Sequence, residues 1–97
     1  MLTMQYTGPV VHPGEILKKE FLVPLNITQT DLANEFGISP YVIQHLVNGK
    51  KCVIMEIAFL LAKRFGTTPN FWLHLQANWD VAKYKEKLLV KGNRETK

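Results

Sequence analysis

The stretch from Thr28 to Gly49 constrains the fold more than any other, because it carries start and stop signals for two short helices in immediate succession. Helices this short are marginal in water and hold only when an apolar face packs against something. Thr28 followed by Asp31 matches the capping pattern that satisfies orphan amides at a helix start. Leu32, Ala33 and Phe36 then share one face until Gly37. Ser39 and Pro40 form a second cap with a first-turn proline, and that helix runs to Asn48 and Gly49, glycine being suited to a left-handed stop. Two helices joined by a turn of about three residues that opens with glycine make a helix-turn-helix, whose second helix enters the DNA major groove. Leu32, Phe36, Ile38, Ile43 and Leu46 fall where steeply crossing helices bury side chains, and Ala33 is small at the crossing.

Three more helices complete an all-α chain. The first starts at Pro13, has Ile16, Leu17, Glu20 and Phe21 along one side and is stopped by Pro24, which leaves Pro24 to Ile27 as a short connection. The fourth carries Ile57, Ala58, Leu61, Ala62 and Phe65 at helical spacing and ends at Gly66. Ile54 stands where a Ser or Thr cap is expected, which forfeits roughly 1 kcal/mol. The fifth begins at Thr68 and Pro69, and Phe71, Trp72, Leu75, Trp79 and Ala82 form an apolar strip continuing toward Tyr84 and Leu88 before the last residues fray. No stretch has the period-two alternation of a half-buried strand. The division expected is a compact five-helix DNA-binding domain over residues 1–82, followed by a basic helix end and tail over 83–97.

Ninety-seven residues, 46% hydrophobic, suit one modest core. The apolar run Ile57 to Ala62 is far short of the roughly 20 residues that span a bilayer, so no membrane partner is expected. The only cysteine, Cys52, has no second thiol for a disulfide or a zinc site, which suits a reducing cytoplasm. The net charge of +4 is concentrated at one end. Residues 83–97 hold six basic and two acidic side chains, whereas residues 1–82 balance at six of each, so total charge alone does not argue for nucleic acid. His12, His45 and His74 are scattered, and neither a nucleophile elbow nor a phosphate loop occurs, so neither catalysis, metal nor cofactor is expected.

The reading helix, residues 39–48, divides into two stripes. Val42, Ile43, Leu46 and Val47 point inward, while Tyr41, Gln44, His45 and Asn48 follow i, i+3, i+4, i+7 spacing on the other side. The amides of Gln44 and Asn48 suit the N6 and N7 edge of adenine, and Tyr41 suits a thymine methyl or a phosphate. Asn48 also suits helix termination beside Gly49. From Thr28 to Val47 there is neither Lys nor Arg, so phosphate contacts fall to Lys50 and Lys51, with Gln29 and the amides at the start of the second helix as neutral contacts. One domain then binds modestly, and two held as a dimer set their reading helices about 34 Å apart, one DNA turn. The aromatic strip of the fifth helix serves either as a satellite core or as that twofold interface, through Trp72, Leu75 and Trp79.

HPGEIL at 12–17, TQTDLANEFGIS at 28–39, VNGKK at 47–51, the spacing from Ala58 to Gly66, and TPNFWLHLQ at 68–76 followed by Asp80 resemble a known family. It is the Xre/lambda-repressor-like helix-turn-helix family and, within it, the HigA-type antitoxins, some called virulence-associated protein I. The resemblance covers about residues 12–82. It implies a lambda-repressor-like five-helix bundle that forms a homodimer, binds its own double-stranded operator DNA to repress its operon, and neutralises a small ribonuclease toxin encoded beside it. Carried over by position, the DNA-facing set is Gln29, Ser39, Pro40, Tyr41, Gln44, His45, Asn48, Lys50 and Lys51. Pro40 and Val42 stand where many relatives carry Arg, and Ile54 replaces the usual Ser or Thr. A basic ribonuclease would meet the acids of the first two helices, Glu15, Glu20, Asp31 and Glu35, in preference to the lysine tail. A stand-alone repressor needs the same DNA module, so sequence does not separate it from an antitoxin.

Overall fold

The computed structural model describes residues 10–95, with side chains to Leu89. Among the described residues there are five helices. Helix α1 spans 13–25 and is followed by α2 (Gln29–Phe36), α3 (Pro40–Val47), α4 (Met55–Phe65) and α5 (Pro69–Glu95). No described helix is long and apolar enough to cross a membrane. The outer parts of the two expected divisions, residues 1–9 and 96–97, lie outside the described residues. Within them, α5 passes residue 82 without a break. The basic segment therefore continues the same helix through Glu95.

Helix α1 departs from the expectation that Pro24 stops it. It begins as an α-helix (Pro13–Ile16), widens into a π-helical stretch (Leu17–Leu22) and closes with a turn that contains Pro24 (Val23–Leu25). Proline has no N–H to donate and its ring crowds the carbonyl four residues back. The wider turn just before it is where the hydrogen-bond ladder gives way, with the Val23 N–H donating five residues back to Lys18 O. The i→i+5 pattern puts Leu17 and Leu22 on the same side, and both are buried. Asn26 ends the helix in the left-handed region at φ 59°. There the Ile27 N–H reaches Leu22 O at 2.9 Å and the Asn26 N–H reaches Val23 O at 3.1 Å, a Schellman stop.

The remaining boundaries follow the punctuation. Thr28 Oγ1 accepts from the Asp31 N–H at 2.9 Å, and Ser39 Oγ from the Tyr41 N–H at 3.1 Å. Gly37 takes φ 69°, which costs a glycine nothing and an L side chain about 1 kcal/mol or more. Ile54 precedes α4 without a side-chain cap. Leu17, Leu32, Ala33, Ile43, Leu46, Ala58, Leu61 and Trp72 are the inner core, each no more than 1% exposed. All five helices contribute to it. Arg64 on α4 bridges to Glu35 on α2 at 2.6 Å; both are largely exposed, so the pair adds at most about 1 kcal/mol.

Candidate DNA interface

Helix α3 stands with Ile43, Leu46 and Val47 buried and Val42 half-buried beneath it, which leaves the other stripe facing solvent. Tyr41, Gln44 and Asn48 are exposed, and His45 is half-buried beside Tyr41, their ring centroids 4.0 Å apart. His45 Nδ1 lies 3.2 Å from the Tyr41 carbonyl. A carbonyl only accepts, so this bond requires Nδ1–H, and in the tautomer that carries its one proton there Nε2 is an acceptor. That suits the N6 amino group of adenine or N4 of cytosine. Asn48 combines both sequence readings: its backbone caps α3, donating to Gln44 O at 3.0 Å, while its side chain remains exposed.

The remaining expected residues rim this stripe. Pro40 and Ser39 are exposed at the start of α3, the Ser39 hydroxyl engaged in its cap, and Gln29 is half-buried at the start of α2. Lys50 and Lys51 are exposed just past the C-terminal end of α3. The structure thus places nine expected positions on one helix, its flanking turns and the start of its neighbour.

What holds the lysine loop was not legible from residue patterns. Gln76 on α5 is buried, and its Oε1 accepts from the Val53 N–H at 2.7 Å across 23 residues of sequence. Its Nε2 donates to Asp80 Oδ1 at 3.0 Å, so the amide is satisfied at both ends. His12 is buried on the other side of the loop, with Nδ1 accepting from the Gly14 N–H at 2.9 Å and the ring bonded to the Lys51 backbone. Burial pushes the His12 pKa below its ordinary value, against the opposing pull of the Asp80 carboxylate and the Lys51 backbone bond. Gly14 completes the support: a Cβ there would sit 1.8 Å from Leu46 O, so only glycine lets α1 touch the end of α3. The available signals were His12 before Pro13 and the i, i+4 pair Gln76 and Asp80.

The expected twofold interface needs a correction. Trp72 is fully buried in the chain's own core, its Nε1 donating to Thr67 Oγ1 at 2.7 Å and its ring packed near Phe21 and Phe71, so it offers nothing to a second chain. Leu75 is half-buried. Trp79, also half-buried, stands edge-on to His12 at 5.3 Å under the Lys83 ammonium. Two of the four acids singled out for a toxin are already paired, Glu15 with Lys19 at 2.8 Å and Glu35 with Arg64. Among the described residues no group of three or more His, Cys, Asp or Glu could hold a metal ion.

A short α2, a glycine turn and an α3 with a polar outer stripe define a helix-turn-helix protein. The family model described as Helix-turn-helix matches residues 18–72, and the chain belongs to that family, one of DNA-binding domains and not of enzymes. An uncharacterized HTH-type transcriptional regulator of Haemophilus influenzae is 43% identical over 68 residues, which cover 70% of this chain and 64% of that one. The antitoxin HigA-1 of Vibrio cholerae is 39% identical over 71 residues, 73% of this chain and 67% of its own. Among solved structures, the Pseudomonas aeruginosa antitoxin HigA with the higBA promoter superposes with a TM-score of 0.82 at 28% identity, over 90% of this chain and 95% of that one.

Proposed function

We propose that this chain is a HigA-type antitoxin: it represses its own operon by binding operator DNA and neutralises a small ribonuclease toxin encoded beside it. The observation that carries the reading is the solvent-facing stripe of α3, backed by a rigidly held lysine loop, in a chain so similar to an antitoxin solved with its promoter. Gln44, His45 and Asn48 read base edges in the major groove, with Tyr41 beside them. Lys50 and Lys51 neutralise phosphates, and Gln29, Ser39 and Pro40 line the approach to the backbone. With two lysines per reading head the affinity of one copy is modest, so two copies act together on half-sites about 34 Å apart. The toxin is met through acids of α1 and α2, of which Glu20 and Asp31 lie outside the two ion pairs noted above.

The test has two parts. Gel shifts with the DNA upstream of the gene should show a complex that an excess of random duplex does not remove. Co-expression with the small neighbouring gene should restore growth and give a co-purifying complex, which truncation after Leu89 leaves intact. Promoter binding without any toxic partner would reduce the reading to a stand-alone repressor, and loss of both would end it.

A further inference from the structure

His12 precedes α1, yet its ring is only 6% exposed and lies against the loop that carries Lys50 and Lys51. The Gly14 N–H donates to Nδ1 at 2.9 Å, Trp79 stands edge-on at 5.3 Å, and a Cβ placed on Gly49 would come 3.7 Å from the ring. Because Nδ1 accepts, a neutral ring must carry its proton on Nε2. Nε2–H is then the donor left for the backbone of Lys51, where a carbonyl can accept. A bond of that sense favours the charged ring, and the Lys51 backbone acts on His12 in that direction. Burial outweighs it, so the ring is neutral at neutral pH. The neighbours of Lys51 are held by other means: the Lys50 N–H bonds to His45 O at 2.8 Å, and the Val53 N–H to Gln76.

We infer that the two nitrogens of His12 have separate roles: Nδ1 caps α1 and serves the fold, whereas Nε2 fixes the backbone of Lys51 and serves its grip on a phosphate. The second role rests on the operator-binding reading. A lysine side chain is long and flexible and acts as a point charge, so the one thing the bundle can fix is where its backbone stands. Buried as it is, the imidazole touches no phosphate and acts through Lys51 as a positioning residue. The same ring ties the start of α1 to the loop after α3, so a residue at the near end of the bundle bears on affinity for any duplex, whatever its sequence.

Asn and Gln separate the two nitrogens, because the Asn Oδ1 falls where Nδ1 stands and the Gln Nε2 reaches where the ring Nε2 stands. His12→Ala has neither. Relative to it, His12→Asn should recover about 4 to 8 °C of unfolding temperature, the worth of an N-cap in a chain this small, and no affinity for duplex. His12→Gln should recover about threefold or more in affinity for random duplex and about one unit of salt slope, a single phosphate contact, with no gain in temperature. If His12→Ala does not fold, the two variants are compared directly, and their order in temperature must be the reverse of their order in affinity. Nitrogen NMR of the unmodified chain at neutral pH, without DNA, should find the ring proton on Nε2. Recovery of both properties by one variant, no recovery of affinity in His12→Gln, or a ring proton on Nδ1 overturns the proposal. An unmodified chain that binds no duplex at all removes the operator reading and the phosphate role with it; binding by the unmodified chain without the Gln rescue overturns the role of His12 alone.

Discussion

The two turns that flank α3 are fixed by opposite means. The turn before it is local: Gly37 at φ 69°, the Ile38 N–H on Ala33 O at 3.0 Å and the Ser39 cap all lie within a few residues of one another. The turn after it begins locally, with the Lys50 N–H on His45 O at 2.8 Å, but is then held from a distance by His12 and by Gln76. The first turn sets the angle at which α3 is presented, and the second sets where the lysines stand relative to it. The proposed interface, with bases read by α3 and phosphates held by the lysines, needs both, and only the second turn depends on the rest of the bundle.

The largest effect that separates the two is at their glycines. Gly14→Ala should cost about 3 kcal/mol or more, because the new Cβ meets the backbone at Leu46 and Val47 and the whole α1 to α3 contact must shift. Gly37→Ala meets nothing within 4 Å, so only its conformation is penalised, by about 1 to 2 kcal/mol. Asn tolerates the left-handed region, so Gly37→Asn should recover most of that loss while Gly14→Asn recovers none. Urea unfolding of the four variants checks the ranking, and similar losses at both sites would erase the distinction between a local and a distant constraint.

Gln76→Ala comes next. It leaves the buried Val53 N–H without a partner and should cost about 1 to 3 kcal/mol. Because Val53 follows the lysine loop, binding to any duplex should weaken as well, and hydrogen exchange at the Val53 amide should accelerate. An unchanged exchange rate would show that Gln76 does not hold the loop.

The smallest effect is the pH response of His12. Its folded pKa lies below the unfolded one, so the unfolded chain binds more protons in between. The stability it contributes is full above the unfolded value of about 6.5 and is lost as pH falls through the lower folded value. Protonation also removes the Nδ1 acceptor from the Gly14 N–H. Thermal unfolding should therefore shift downward in acid, and His12→Asn, which keeps a capping oxygen, should flatten that part of the profile. An unaltered profile in the variant would assign the response to another group.

The same contrast explains what was legible in the sequence. Thr28, Gly37, Ser39, Pro40 and Gly66 act through neighbours a few residues away, so the boundaries of α2, α3 and α4 and the outer stripe of α3 could be read directly. Pro24 misled because its effect depends on the ladder before it: a π-helical turn carried the helix one residue beyond it. Trp72 misled because an aromatic strip does not say how many of its members the chain itself buries; Phe21 and Thr67 enclose this one. Gln76 and Gly14 act on Val53 and Leu46, positions far along the chain, and no spacing rule connects them.

With α3 proposed to specify sequence and Lys50 and Lys51 to supply general affinity, one salt titration on promoter and random duplex compares the two directly. Gln44→Ala should lose about 1 to 3 kcal/mol on the promoter and almost nothing on random DNA, with its salt slope unchanged. Replacing both lysines with Ala should weaken the two duplexes alike and flatten the slope by about two units. Equal loss on both duplexes from Gln44→Ala, or an unchanged slope without the lysines, would contradict that division.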